Sequence, residues 1–477
     1  MLSARVSCKS KFVLYYKNTG NCINTRQEAR MRKALAVTLS FVMLTLSVHA
    51  WANDILSMKQ RSELIDKITV ERFETVLPQI MEREGIDMWV LMSREYNEDP
   101  VLKTMLPSTW ISARRHTMLV IYNPGKGEPL ERLAVARYAV GSLFKKAWDK
   151  EAQPDQWEAL KRIIETRNPS KIAINTSDAF ALADGMTATE YEKFMTVLSE
   201  KFKRRVVSGE RLAIGWLETR SDLEMQYYPI LTKIGHSLIA TAFSNEVITP
   251  NVTTTDDVVW WLRDQTRALG LTNWFHPTVS IQRKDAAAFD QITAFSKRPG
   301  ENIIRPGDLI HVDFGITYLR LNTDQQQHAY VLKSGERDAP ASLKNALKAG
   351  NQLQDILTSN FKVGRTGNAI LGKTRKHAIE NRLTPAIYTH PLGFHGHAAG
   401  PTIGMWDAQE GVPIQGDYPM FANTAYSIEL NAASFIEEWN KEIRIMLEED
   451  AFFDGESVTY LDGRQTEFHL IYSDENQ

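Results

Sequence analysis

"HVDFGITYLRLNTD" occupies His311–Asp324, and how it folds decides the architecture. Val312, Phe314, Ile316, Tyr318 and Leu319 are strand formers, and Gly315 is the residue suited to a bulge or an unusual backbone angle. A reversal near Tyr318 and Leu319 gives a hairpin with Asp313 and Asp324 as direct cross-strand neighbours, about 5 Å apart at Cβ. Two carboxylates so placed repel each other unless a proton or a cation sits between them. The expectation is a cation.

Three more segments carry acids or imidazoles inside strand-like text. "YTHPLGFHGHAAG" at 388–400 supplies His390, His395 and His397, and "TAYSIELNAA" at 424–433 places Glu429 in a strand pattern. "EIRIMLEEDAFF" at 442–453 sets Glu448, Glu449 and Asp450 between two apolar halves, Ile443-Ile445-Leu447 and Phe452-Phe453. Acids within core-forming strands are expensive unless they are paired with charge. Taken singly, Asp324 reads as a turn cap, His395 as a stacking ring, and Glu449 and Asp450 as solvent-facing acids. Taken together, Asp313, Asp324, His390, Glu429 and Glu448 give four carboxylates to one imidazole. Such an oxygen-rich set suits two bridged divalent ions, manganese ahead of zinc or cobalt.

Outward from these segments the chain divides. Residues 1–52 read as a leader: Arg30-Met31-Arg32-Lys33, the apolar run "ALAVTLSFVMLTLSV" and Ala50-Trp51-Ala52 have the order of a secretory signal. The run is shorter than the about 20 residues of a comfortable membrane span. Cleavage after Ala52 and a periplasmic or secreted location are expected, with no membrane association beyond the signal. Its loss takes eight basic residues and one acidic residue from totals of 56 and 58, leaving 48 against 57 and a net charge of −9. An acidic body excludes a nucleic-acid partner, whose phosphates ask for a basic face. Cys8 and Cys22 both precede the cleavage point, so the remaining chain offers neither disulfide nor thiol ligand.

Residues 53–210 alternate helix and strand, as in an α/β layer domain. Helical spacing over 58–84 leads to strands at 87–93, 116–125, 132–141, 171–177 and 204–209, with further helices near 156–169 and 188–202. Residues 211–477 form a second domain, with a long helical stretch over 210–245 and a helix capped near Thr255-Asp256-Asp257. A strand follows at 277–282, and "LKNALKAGNQLQDILTS" is an amphipathic helix.

The order and spacing of the acids and histidines resemble the pita-bread metallopeptidases, that is aminopeptidase P, prolidase and methionine aminopeptidase, with creatinase as a metal-free relative. Asp313, Gly315 and Asp324 match the family's Asp-x-Gly and second Asp. His390, Gly393 and His397 match its H-x-x-G-x-x-x-H, while Glu429 and Glu448 match its two late glutamates. The resemblance implies an α+β fold, with a pita-bread catalytic domain behind a smaller creatinase-like α/β N-terminal domain. It implies that Asp324 and Glu448 bridge two ions, that Asp313 chelates one, and that His390 and Glu429 complete the other. Glu429 would also shuttle a proton, and His397 would contact the substrate. His395, Phe289 and Trp406 are the further substrate-contacting candidates. The implied activity is hydrolysis of small peptides by an Xaa-Pro aminopeptidase or dipeptidase, as a homodimer. The alternative is hydrolysis of a non-peptide amide, or ligand binding without turnover. Three positions depart from the family: a usual histidine falls at Phe289 or Asp290, another at Ala386, and an arginine at Met446, with Arg444 two residues away.

Overall fold

The computed structural model describes residues 55–125, 127–285 and 302–473. The leader 1–52 and the positions Phe289 and Asp290 therefore lie outside the described residues.

The apolar spacing of 58–84 folds as two helices, Met58–Glu71 and Leu77–Glu84, joined by a π turn at Arg72–Val76. Ser57 and Gln60 form a capping box before the first, and Gly85, with φ of 62°, ends the second in the left-handed conformation that glycine adopts without strain. Strands β1 (Met88–Arg94), β2 (His116–Tyr122), β3 (Glu131–Val135), β4 (Lys145–Lys146), β5 (Ile172–Ile174) and β6 (Val206–Ser208) make one sheet in the order β4-β3-β2-β1-β5-β6. β2 and β3 pair antiparallel as a hairpin, and β1–β5–β6 run parallel. Every residue from Met88 to Ser93 is buried because helices cover both faces. Leu160, Ile164 and Phe194 pack on one side, and Leu77, Ile80 and Trp216 on the other.

The expected helix over 188–202 breaks at Leu198 and Ser199 into Ala188–Val197 and Glu200–Lys203. That over 210–245 breaks at Thr219–Ser221 into Glu210–Glu218 and Asp222–Ala242. Ser221 is the cause, since its hydroxyl accepts from Glu224 N while the Glu224 carboxylate accepts from Ser221 N at 2.8 Å. Among the described residues no helix is long and apolar enough to cross a membrane.

Beyond the helix Thr255–Ala268 the chain is mostly strand: β7 (Thr272–Asn273), β8 (Thr278–Gln282), β9 (Leu309–Phe314), β10 (Ile316–Tyr318), β11 (Leu321–Asn322) and β12 (Gln325–Val331). After the helices Ala341–Thr358 and Gly367–Glu380 come β13 (Thr384–Ile387), β14 (His390–Leu392), β15 (Thr424–Ser427), β16 (Leu430–Ile436), β17 (Lys441–Leu447), β18 (Asp450–Phe453), β19 (Val458–Tyr460) and β20 (His469–Ile471). Three long antiparallel runs, β13–β14, β15–β16 and β17–β18, all break at one level. Register is kept across the breaks, with Ile387↔Leu430 and His390↔Ser427 on one side and Leu430↔Leu447 and Ser427↔Asp450 on the other. Glu429 thus faces Glu448 across the gap. The helix Ala341–Thr358 packs behind β16 and β17, and Gly367–Glu380 packs behind β13, with Leu347, Leu353, Ile370 and Ile445 in one shared core. The result is an α+β pita-bread scaffold whose breaks leave a row of strand ends facing a single point. The described residues from Leu56 onward form one compact unit.

Candidate metal centre

The reversal after Asp313 comes later than the sequence suggested. The pairs Asp313↔Gln326, Phe314↔Gln325, Thr317↔Asn322 and Tyr318↔Leu321 place the turn at Leu319-Arg320, both at positive φ (52° and 66°). Such a two-residue turn matches strand twist but strains side chains with a Cβ. Here burial of Leu319 and donation by Arg320 Nη1 to Thr104 O and Leu106 O, at 3.1 and 2.9 Å, hold it. Asp313 therefore faces Gln326, not Asp324, and the two aspartates are diagonal neighbours on one face. Gly315 is not a bulge either. It admits Trp274 and Phe275, since a Cβ there would lie 2.2 Å from Trp274 Nε1, which donates to Thr323 O at 2.8 Å.

The five proposed ligands converge. Asp313, Asp324 and Glu448 offer oxygens within 4.8 Å of one another, as do the donor atoms of His390, Glu429 and Glu448. His390 Nε2 lies 3.6 Å from Asp324 Oδ2, 3.6 Å from Glu448 Oε1 and 3.9 Å from Glu429 Oε2. These separations are too long for hydrogen bonds. They are those of donors sharing an ion at about 2.1 Å, which stand about 3–4 Å apart. His390 Nδ1 sits 3.1 Å from Pro391 O, a pairing that puts the proton on Nδ1 and leaves the Nε2 lone pair aimed at the acids. Both His390 Nε2 and Asp313 Oδ1 are buried without a hydrogen-bond partner. Burial first, and the neighbouring Glu448 second, push the Asp313, Asp324 and Glu429 carboxyls well above the usual range. A cage of crowded acids, with orphaned donors and no Arg or Lys of the described residues among them, fits divalent ions.

Neighbouring acids have other partners. Asp450 accepts from Asp324 N at 2.9 Å and from Thr232 Oγ1 at 3.1 Å, and Glu449 Oε2 lies 2.6 Å from His236 Nε2. His397 stands at the mouth, edge-on to His390 at 4.8 Å between ring centres, beside Trp274 and Tyr388. Its ring also joins Asp324 and His390 in a third possible ligand group. A cavity of about 200 Å³ opens there, walled by Phe180, Leu182, Tyr388, His397, Met405 and Gln415. His395 is not on that wall. It lines a separate cleft of about 610 Å³ with Lys103, Trp110 and Phe394. Trp406 is half-buried one residue beyond Met405 and is likewise off the wall. The third candidate contact, Phe289, lies outside the described residues.

Sequence reasoning passed over Gln326, Trp274, Tyr388 and the N-terminal Phe180–Leu182 segment. Parity could have found Gln326, which lies two residues beyond Asp324 on the same face. It donates through Nε2 to Glu429 Oε1 at 3.0 Å and Glu448 Oε2 at 2.6 Å. At the departures from the family pattern, Asn431 pairs with both Ala386 and Met446, and Arg444 Nη1 reaches Asn431 Oδ1 at 2.8 Å. The displaced arginine thus still serves the same row.

Comparison with known proteins agrees with this geometry. Residues 232–450 match metallopeptidase family M24. No curated protein matches the chain. Among solved structures, an X-Pro aminopeptidase from Thermotoga maritima superposes with a TM-score of 0.57 at 16% identity, over 82% of this chain and 99% of that one. An Xaa-Pro dipeptidase from Bacillus anthracis gives 0.55 at 16%, over 86% and 99%. A prolidase from Pyrococcus horikoshii gives 0.52 at 13%, over 84% and 99%. All five convergent side chains lie inside the segment that matches metallopeptidase family M24, and the likeness to these solved structures shows the pita-bread fold.

Proposed function

We propose that this protein is a dinuclear metal-dependent hydrolase of small peptides with Xaa-Pro preference, working in the periplasm or as a secreted enzyme. The observation that carries the reading is the unpartnered His390 Nε2, facing three carboxylates at 3.6–3.9 Å. His390, Glu429 and Glu448 frame one ion position, and Asp313, Asp324 and Glu448 frame the other. The preponderance of carboxylate oxygen favours manganese. Bound there, two such ions supply Lewis acidity that activates a water and polarises the scissile carbonyl.

The chain's own groups do the rest. Glu429, its side chain 17% exposed, and Asp313 are the cage acids that are not fully buried. The Glu429 carboxylate, with Oε1 accepting from Gln326 Nε2, is the group we assign to take the proton of the attacking water and hand it to the leaving amine. His397, Trp274 and Tyr388 make an aromatic rim that orients the substrate. The 200 Å³ cavity is smaller than the about 300–1,000 Å³ of an ordinary ligand site and suits one compact residue such as proline. Phe180 and Leu182 close it from the N-terminal half and exclude water. The export reading is supported by the basic cluster at 30–33, the apolar run and Ala50-Trp51-Ala52.

The second reading, a non-peptide amide hydrolase or a binder without turnover, is favoured by the apolar Ala386 and Met446 at family polar positions. Assay of Ala-Pro and Xaa-Pro-Xaa peptides with manganese, beside Glu429→Gln, decides. Hydrolysis by the native protein, lost in the variant, is expected. Two bound ions without any hydrolysis would leave the binder, and full activity in the variant would remove Glu429 from the chemistry.

A further inference from the structure

We propose that the cleft of about 610 Å³ lined by Lys103, Arg320 and His395 is a carboxylate subsite for a peptide that runs on past the residue held in the 200 Å³ cavity. The inference rests on the peptidase reading above and names the substrate that reading leaves open: a peptide carrying a carboxylate beyond the cavity, on its C-terminus or on an acidic side chain.

The two hollows adjoin. Leu182 belongs to both walls, and His395 precedes His397, at the mouth of the smaller one, by two residues. Two residues of chain span at most about 7 Å, and the two or three residues that follow in a bound peptide cover about 7–11 Å. A peptide seated in the cavity therefore reaches the cleft with its second or third following residue, which a dipeptide lacks.

The donors on the cleft wall are uncommitted. Lys103, on the helix Pro100–Thr104, is exposed and makes no ion pair among the described residues. Arg320 donates through Nη1 to Thr104 O and Leu106 O, which leaves its Nε–Nη2 edge without a partner among the described residues. That edge is a fork able to grip a carboxylate through two parallel hydrogen bonds. His395 Nδ1 is buried without a partner. Orphaned buried N–H groups are rarer than orphaned acceptors, so the ring carries its proton on Nε2, a further donor. Among the described residues the wall has one acid, Glu98, whose Oε1 already accepts from Tyr96 N and Ala113 N at 3.1 and 3.0 Å. Asp66, which acts on Arg320 electrostatically, is off the wall and accepts from Ser108 N at 2.7 Å. Arg114 lies over the Trp110 ring at 4.8 Å and adds a cation beside the cleft. The excess of cations over acids makes the cleft complementary to an anion, in contrast to the acidic cage beyond Leu182.

Calorimetry with the manganese-loaded protein tests this, using a reduced Ala-Pro-Ala-Ala that has a methylene in place of its first carbonyl and so resists hydrolysis. The free acid should bind at least about tenfold more tightly than its C-terminal amide, the range expected for hydrogen bonds to a charged group. An amide with glutamate as its last residue separates the two sources: tight binding assigns the cleft to an acidic side chain as well, and weak binding assigns it to the C-terminus. Lys103→Met, at an exposed position that does not threaten the fold, and His395→Phe should each shrink the acid-to-amide ratio to about threefold or less. Equal binding of acid and amide by the native protein, or a ratio unchanged in both variants, would overturn the inference. Cleavage of Xaa-Pro peptides would still leave the hydrolase reading standing in that case. Preference for the acid without cleavage of any such peptide would do the reverse, removing the hydrolase and keeping the subsite.

Discussion

Two buried ionic clusters meet at the segment 390–397, and they solve the same electrostatic problem in opposite ways. On one side Arg72 and Arg220 clasp Glu224 at 2.6 and 3.1 Å. Further donors go to the carbonyls of Trp216, Leu217, Glu218 and Thr219, while Arg72 Nε is buried without a partner. Both guanidinium groups lie over the Phe394 ring, at 4.8 and 5.1 Å. On the other side four carboxylates and His390 crowd together with no arginine or lysine among them in the described residues. In the first cluster the chain pairs opposite charges with each other and builds structure, tying the Arg72–Val76 turn and the helix Asp222–Ala242 to the loop that carries His397. The second is left unneutralised, which in a buried site means that its counter-charge comes from outside. Residues 448–450 show the contrast in three consecutive acids. Glu448 enters the cage, Glu449 pairs with His236, and Asp450 accepts from a backbone amide and a hydroxyl.

The comparison breaks most sharply at the cage. His390→Ala or Glu448→Ala should lower peptide hydrolysis by about 10³-fold or more, since several kcal/mol of charge stabilisation goes with an ion. Metal content by mass spectrometry should fall below two ions per chain, while the melting temperature of the metal-free protein holds or rises as repulsion is relieved. A fall of that temperature would mean that the acids are structural.

The opposite response is expected of the arginine cluster. Arg72→Met should cost about 3–5 kcal/mol in denaturant unfolding, because it leaves Glu224 buried with a reduced complement of cations. Ion stoichiometry should not change. A loss of bound ions would show that the two clusters are coupled through Phe394.

His236 sharpens the contrast through pH. Glu449 and Asp462 raise its pKa from 6.5 to about 10, outweighing the larger, opposing effect of burial. A folded pKa above the unfolded one means stability that is complete below about pH 6.5 and lost as pH rises through 10. Native protein should exceed His236→Gln by a few kcal/mol at pH 6, with the gap closing towards pH 10.5, as read from melting curves. A gap that does not change with pH would mean that His236 is neutral. The smallest effect belongs to the exposed Lys59–Glu63 pair, 3.9 Å apart with side chains 87% and 59% exposed. Lys59→Ala should move stability by less than about 0.5 kcal/mol.

Much of this was legible in advance. Strand and helix periodicity located most elements, and acids lodged in core-forming strands marked the segments whose four carboxylates converge with His390, because burying an unpaired carboxylate is too costly to be accidental. The misreadings were local. The turn moved by about one residue because Leu319 and Arg320 take positive φ without glycine, held by contacts to Thr104 and Leu106 from far along the chain. Periodicity over 188–202 and 210–245 did not reveal the break where Leu198 and Ser199 turn extended, nor the one set by the Ser221 capping box.

By itself, then, the sequence determined which residues could be buried and which of those carry chemistry, since polarity and period are properties of the chain. Tertiary structure alone decided which groups meet. That Gln326 ties Glu429 to Glu448, that Trp274 fills the space Gly315 leaves, and that Phe180 and Leu182 wall the cavity are consequences of sheet register and of packing between distant segments. Hydrogen bonds and dispersion act only over a few ångströms, so one register step, invisible in composition, changes the partner of every side chain on the face.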